Sequence, residues 1–416
     1  MKIMGNILLT LALLACLACD DVKEYPWNDA WNGTEQEAPE DSEGTDDTQT
    51  PEDSENPETP EDSETPADPQ EPANPENPEE TPVPGTPSDP EEPSEPQDPV
   101  DPDEPGDQDD PADQEPSGRP VPQGWTDVSA AYGTLPSYLR ILKSPSELLG
   151  NKAVAYVAEA DMSQAQWDVW SVKIQDNGGN LTEATDDSYK TPSQVYADGS
   201  WPVVINGGYF YSQGGMNYTA SLAVSGSETL AYNIGYEYEG NDMRYPTRGV
   251  FRQSTDDVFD ACWTYTIWNR TTYMYPSPSE DMTKLPSATF PTAAQDLAAK
   301  TAIGGGPVLI DNGEVVNTFR QEMFSGIGPE TAQPRTAIGV TSDGFLYLFV
   351  CEGRQMTEGV HGYTTGEVAE ILLGFGCVEA MNLDGGGSSC MLVNGQETIK
   401  VSDGSQRAVA STVMIR

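Results

Sequence analysis

From Asn32 to Gly118 the chain contains no Phe, Trp, Tyr, Leu, Ile or Met. Burial of apolar side chains offsets the entropy of ordering a backbone, so this stretch cannot build a core, and the fold must come from the residues beyond Gly118. Pro, Glu, Asp, Thr and Ser dominate here, and the string PEDSE recurs at Pro51 and Pro60. Proline stiffness and charge repulsion predict an extended, disordered tether over residues 20–118. Of the formal charge of −49, residues 20–118 hold 36 carboxylates against Lys23 alone, a net of −35, whereas residues 119–416 hold 33 carboxylates against 18 cations, a net of −15. Neither part offers the clustered Lys and Arg that grip a phosphate backbone, so no nucleic-acid partner is expected.

Residues 1–19 read as an export signal of the lipoprotein type. Lys2 supplies the positive start, and Ile7 to Leu17 is apolar but too short to span a bilayer. Cys19, directly before Asp20-Asp21, is the expected lipidation site; Cys16, with Leu13 three places upstream, is the alternative. Two kinds of acyl attachment there suffice for lasting anchorage. The expected location is the cell envelope, lipid-anchored to the membrane on its periplasmic or outer-surface side, with the tether holding a domain away from the lipid. Cys262, Cys351, Cys377 and Cys390 match no zinc spacing. They can form two disulfides in any of three pairings, or stay as buried thiols among apolar neighbours such as Val350 and Met391.

Residues 119–416 are enough for one large domain. Short runs of β-formers bounded by Gly, Asn or Asp predict many strands, among them Ala153 to Val157, Val203 to Ile205, Phe345 to Val350 and Met391 to Val393. One helix is clear. Thr364 and Glu367 form a capping box ahead of Val368, Ile371, Leu372 and Phe375, and Gly374 and Gly376 end it before a strand at Val378 to Leu383. A helix feeding a strand predicts an α+β (mixed α/β) fold: a β-rich single catalytic domain with a mixed central sheet and few helices.

The chemistry should gather at Asn382-Leu383-Asp384-Gly385-Gly386-Gly387-Ser388-Ser389. Consecutive glycines let a backbone approach a ligand closely, with Asp384 at a strand end and two hydroxyls beyond it, as a phosphoryl or sugar oxygen site requires. Other constellations fail. His361 is the one histidine, which excludes His-rich zinc sites; the serines lack the final glycine of a nucleophile elbow; and Gly304-Gly305-Gly306 leads into Pro307 and a strand-like run, unlike a dinucleotide fingerprint.

These strings occur in a known order. NLDGGGSS at Asn382 and the helix before it, INGGYF at Ile205, AIGGGPVLI at Ala302, PRTAIGV at Pro334, Glu352-Gly353-Arg354 and the closing Gln406-Arg407-Ala408-Val409-Ala410 resemble the phosphodiester glycosidase family over roughly Ala153 to Arg416. The resemblance implies cleavage between an anomeric carbon and phosphate, with a sugar-phosphate diester or phosphoglycan as substrate. No cofactor is required, and no metal site is indicated. Such a bond breaks through an oxocarbenium-like state that carboxylates stabilise or supply with water, and the departing phosphate needs cations more than a strong acid. The expected carboxylates are Asp384 and Glu352, and the expected phosphate ligands Arg335 and Arg354. Asn206, Gly207 and Gly208 are expected on the sugar side, with Gly385 and Gly386 in the turn and Ser388, Ser389 and Thr365 as hydroxyl donors. The Tyr- and Trp-rich stretch between Val224 and Pro286 does not align, and substrate-facing insertions are expected there. Two rival readings remain: a silent glycan-binding lipoprotein using Trp263, Tyr265, Trp268, Tyr273 and Tyr275 to stack on sugars, and a metal-dependent phosphodiesterase, which a chelator would inhibit.

Overall fold

The computed structural model describes residues 119–174, 188–213, 216–267 and 270–416. The expected signal peptide, both candidate lipidation cysteines, the tether and Trp268 lie outside the described residues. Strands dominate because the sequence alternates. Leu346, Leu348 and Val350 join one buried cluster, while Tyr347, Phe349 and Cys351 join another on the opposite face of the same strand.

In chain order, the strands that frame the molecule are β1 (Leu139–Lys143), β2 (Ala155–Asp161), β3 (Trp167–Ser171), β4 (Val203–Asn206), β5 (Phe210–Gln213) and β6 (Met216–Thr219). They continue with β7 (Ala223–Ser225), β8 (Glu237–Glu239), β9 (Asp242–Arg244), β10 (Arg248–Gln253), β11 (Phe259–Thr266) and β12 (Thr301–Gly304). The last are β13 (Val308–Asp311), β14 (Arg335–Thr341), β15 (Phe345–Cys351), β16 (Cys377–Asn382), β17 (Met391–Val393) and β18 (Ser411–Ile415). Helix α1 is Pro192–Gly199 and α2 is Thr365–Gly374.

A central sheet runs β1-β2-β15-β14-β16-β13 with a two-residue strand at each edge. A second contains β7-β12-β10-β11, and a third β17-β4-β18-β3. The inner face of the central sheet packs Ala158, Ile338, Leu348 and Met381 against Phe251, Trp263 and Ile303 of the second sheet and Ile205 and Val413 of the third. Helix α2 covers the outer face with Val368, Ile371, Leu372 and Phe375. Its capping box forms as expected: Thr364 Oγ1 accepts the Glu367 N–H (3.1 Å), and Glu367 Oε2 accepts the Thr364 N–H (2.8 Å).

The α+β, β-rich reading with few helices holds, but the mixed strand directions expected of the central sheet are absent from the described pairs, which are antiparallel. The chain leaves β15, passes through α2 and returns as β16 in the same direction, yet β14 lies between the two and pairs with both. The parallel strands are therefore never neighbours. The stretch after Val224 also differs from expectation, because it supplies β10 and β11 to the second sheet in addition to surface loops.

The four described cysteines are buried free thiols. Burial pushes Cys351 up to about 12, far from the range of a reactive thiolate. Trp263, Tyr265 and Tyr275 are buried as well, at 2%, 7% and 1% exposure, so they pack the sheet and cannot stack on a sugar. Among the described residues no helix is long and apolar enough to cross a membrane.

Candidate functional site

The glycine strings lie where the three sheets converge. Beyond β4, Gly207 donates its N–H to the Ser411 carbonyl (2.8 Å) and accepts the Asp384 N–H (3.1 Å), and Gly208 donates to Ser411 Oγ (3.0 Å). Beyond β12, Gly306 donates to the Asn382 carbonyl (2.8 Å). A Cβ on Gly207 would lie 2.4 Å from Ser411 Oγ, and one on Gly208 2.4 Å from the Gly304 carbonyl oxygen. Gly207 and Gly208 are thus glycines because backbone packs on backbone, which is not the sugar-lining role expected of them.

Asp384 follows the central strand β16 into this junction, at 7% exposure. Its Oδ1 accepts the Gly385 N–H (2.8 Å), and the Ser388 hydroxyl donates to the same carboxylate. Burial nonetheless pushes the acid up to about 6, against the lowering influence of Ser388, Arg407 and Gly385. Gly386, at φ +57°, turns the backbone so that its N–H reaches the Pro334 carbonyl (2.9 Å). Asn206 is fully buried. Its Nδ2 donates to the Asp384 carbonyl (2.7 Å), while its Oδ1 accepts from Thr336 Oγ1 (2.8 Å) and the Cys390 N–H (3.1 Å). Asn206 therefore braces the Asp384 loop instead of facing a sugar. Ser389 is likewise bound inside, 3.3 Å from Thr336 Oγ1.

Arg407 supplies the nearest positive charge. Its Nη1 donates to Ser388 Oγ (3.3 Å), and its Nε and Nη2 donate to Asp403 Oδ2 (2.9 and 2.6 Å). The chain Asp403–Arg407–Ser388–Asp384 is thus continuous, with the Arg407 side chain 29% exposed at its open end. Arg354 stands beside it: Asp403, Arg407 and Asp384 are the charges that act on its guanidinium, and its Nε donates to Gln333 Oε1 (3.1 Å). Arg407 is absent from the expected ligand set, although the resemblance had reached its segment. Gly387 lies directly below, where an added Cβ would sit 2.1 Å from Arg407 Nη2 and 2.3 Å from the Asp403 carboxylate. Both obstructing groups are ends of flexible side chains. Gly387→Ala should therefore melt near the parent temperature but lose on the order of tenfold to a hundredfold in turnover by swinging Arg407 away; kinetics beside a thermal melt check this.

Glu352 directly follows β15 and continues the Leu346, Leu348, Val350 alternation, whose face is shared with Thr336. Its Oε1 accepts the Lys400 N–H (2.9 Å), and its buried Oε2 has no hydrogen-bond partner among the described residues. Arg335 is placed differently from expectation. It is fully buried, and its guanidinium donates to the carbonyls of Tyr363 (2.9 Å), Ile327 (3.2 Å), Gly328 (2.5 Å) and Thr331 (3.0 Å). Such a side chain clamps the loop of residues 325–331 and has no face to offer a phosphate; burial lowers it to about 10. Thr365, also buried, ties the start of α2 to Asn317 Oδ1 (2.9 Å), so its hydroxyl is not directed at a ligand.

A polar wall continues from the junction. Asn382 Nδ2 donates to the Tyr209 hydroxyl (3.0 Å), which donates to the Gly306 carbonyl (2.7 Å), and Asn382 Oδ1 is buried without a partner among the described residues. Behind Gly306, fully buried Glu322 accepts the N–H groups of Val308 (2.8 Å) and Gly249 (2.7 Å) and the Trp263 indole (3.2 Å). Among the described residues no three His, Cys, Asp or Glu side chains are grouped to hold a metal ion.

Burial raises Glu379 to about 7 from 4.5 and Asp384 to about 6 from 3.8, and it raises Glu237 and Glu322 in the same direction. The native state holds protons that the unfolded chain releases, so this contribution to stability is complete below about pH 4 and is lost as pH rises to about 7. The melting temperature should fall across that window, and Glu379→Gln should flatten its upper part. A slope unchanged in that variant would contradict the assignment.

Every residue of this site falls within residues 201–416, the stretch that matches the family described as phosphodiester glycosidase. The chain belongs to that family. A curated relative, the SPbeta prophage-derived uncharacterized protein YomE of Bacillus subtilis (strain 168), is 42% identical over 82 residues, which cover 20% of this chain and 12% of that protein. Two solved structures are similar at low identity. A hypothetical protein from Synechocystis is 16% identical with a TM-score of 0.44, over 67% of this chain and 62% of its own. The zebrafish N-acetylglucosamine-1-phosphodiester alpha-N-acetylglucosaminidase catalytic domain, auto-inhibited by its pro-peptide, is 17% identical with a TM-score of 0.43, over 72% and 85%.

Proposed function

We propose that this chain hydrolyses the bond between an anomeric carbon and phosphate in a sugar-1-phosphodiester, releasing the sugar and a phosphomonoester. The observation that carries this reading is the buried Asp384 carboxylate joined through Ser388 to Arg407, with Arg354 beside them. Arg407 and Arg354 hold the phosphate and take up the charge that develops as it leaves; Arg335 holds the loop. Ionised Asp384 faces the positive anomeric carbon and accepts a proton from the attacking water. The water oxygen bonds to that carbon, and the carbon–oxygen pair departs with the phosphate. Glu352 Oε2, a buried acceptor, takes a sugar hydroxyl.

On this proposal the acidic tether and Cys19 present the domain from a membrane of the cell envelope to phosphoglycans. The test is incubation with a panel of sugar-1-phosphodiesters, an aryl glycoside and a bis-aryl phosphodiester, followed by phosphorus NMR. A phosphomonoester from the sugar diesters alone supports the reading. Cleavage of the aryl diester points to a phosphodiesterase, and silence throughout points to a glycan-binding module.

A further inference from the structure

Arg407 reaches the site from a loop, and a long side chain on a loop needs something to aim it. Val401 anchors one end of that loop in the cluster of Val204, Leu392 and Met414. At the other end Gln406 donates to Ser193 Oγ (2.8 Å) and Glu397 Oε1 (2.7 Å) and accepts the Ser193 N–H (2.9 Å). The residue before Arg407 is thereby tied to the first turn of α1. Between these anchors Gly404, at φ +78°, donates its N–H to the Val401 carbonyl (3.1 Å) and closes a turn that contains Asp403. Asp403 and Arg407 then meet over Gly387, where an added Cβ would lie 2.3 Å from both Asp403 oxygens.

Their contact uses one edge of the guanidinium. Nε and Nη2 both donate to Asp403 Oδ2 (2.9 and 2.6 Å), whereas Nη1 donates to Ser388 Oγ (3.3 Å), the hydroxyl that reaches Asp384. An Arg edge of this kind can grip a phosphate through two parallel N–H groups. An internal carboxylate therefore occupies a place that phosphate would otherwise take. Asp403 also acts on the Arg354 guanidinium, where it opposes the repulsion from Arg407. It thus lets two cations stand together before any phosphate arrives.

We infer that Asp403 is a positioning residue: it holds Arg407 by the Nε and Nη2 edge, so that phosphate is met beside Ser388 and Asp384 and not where a free guanidinium would bind it best. Arg407 stands between Asp403 and Ser388, so Asp403 does not itself touch the reacting atoms. Stability is not what the pair supplies, because its side chains are 29% and 34% exposed, and exposed ion pairs contribute little. Misplacing a group by about 1 Å, in contrast, costs on the order of a hundredfold in rate.

The inference rests on the proposed reaction for its effect on turnover but not for the hold itself, and the two are tested separately. Exchange of the Arg407 Nε–H with water, assigned as the resonance missing from Arg407→Gln, is followed by ¹⁵N NMR with and without inorganic phosphate. Sugar-1-phosphodiester kinetics are run on the parent and on Asp403→Asn. In the parent the proton should exchange slowly in both states. In Asp403→Asn it should exchange faster and be slowed again by phosphate, because the freed edge takes the anion. The variant's kcat should fall about tenfold to a hundredfold, with KM no higher and the melting temperature unchanged, a split that a structural defect would not give. Equal exchange in parent and variant, an unchanged kcat, or a loss of kcat accompanied by a rise in KM would overturn the assignment. Turnover of no diester by the parent, with the exchange results as expected, would remove the reaction and leave the hold of Asp403 on Arg407 standing.

Discussion

Asp384→Asn is expected to cut turnover by about a hundredfold or more while the protein melts at or above the parent temperature. The two results share one cause. Asp384 is buried, and its acid is raised to about 6, so the ionised form is the one the fold tolerates poorly. An amide of the same shape keeps the Gly385 and Ser388 contacts and removes the uncomfortable charge, but it cannot take a proton from water. In the parent, the activity profile should rise through an apparent pKa near that of Asp384, and that limb should vanish from the residual activity of the variant. Near-normal turnover in a folded Asp384→Asn would remove Asp384 from the chemistry.

Arg335 carries the second large expectation. Replacing it with Lys should lower stability by on the order of 3–5 kcal/mol, because a single ammonium cannot reach four carbonyls and each one left buried and unpaired costs about 1–3 kcal/mol. For a domain of this size that is a drop of roughly 6–15 °C in melting temperature. A residue whose work is to grip phosphate would behave otherwise, with activity lost and the melt unmoved. Arg407→Gln should show that second pattern, since Arg407 is partly exposed and its ion-pair partner Asp403 keeps access to water. An unmoved melt in Arg335→Lys would return Arg335 to the ligand set.

What the sequence revealed and what it concealed divide along a physical line. The Thr364–Glu367 capping box, the strand periodicity and the Asp384-Gly385-Gly386 turn are local patterns, and each is found where it was expected. A second capping box, Thr191 with Gln194, opens α1 and was equally legible, but the helix is short and buries only Pro192 and Val195. Roles set by long-range contact were not legible. Arg335 and Arg407 look alike in a sequence, and only the carbonyls around the first and the Asp403–Ser388 pair around the second separate a clamp from a ligand. Asn206 and Gly208 were rightly drawn to the junction but wrongly aimed at the sugar, because their hydrogen-bond partners are 130 and more residues away. Sheet direction failed for a similar reason. A strand–helix–strand unit reads the same whether its two strands pair or, as here, admit β14 between them.

The central claim, that the bond broken is carbon–oxygen and not phosphorus–oxygen, is tested most directly by hydrolysing a sugar-1-phosphodiester in ¹⁸O-water and locating the label by mass spectrometry. The account predicts that the label enters the anomeric hydroxyl of the released sugar and leaves the phosphomonoester unlabelled. Label in the phosphate would contradict it.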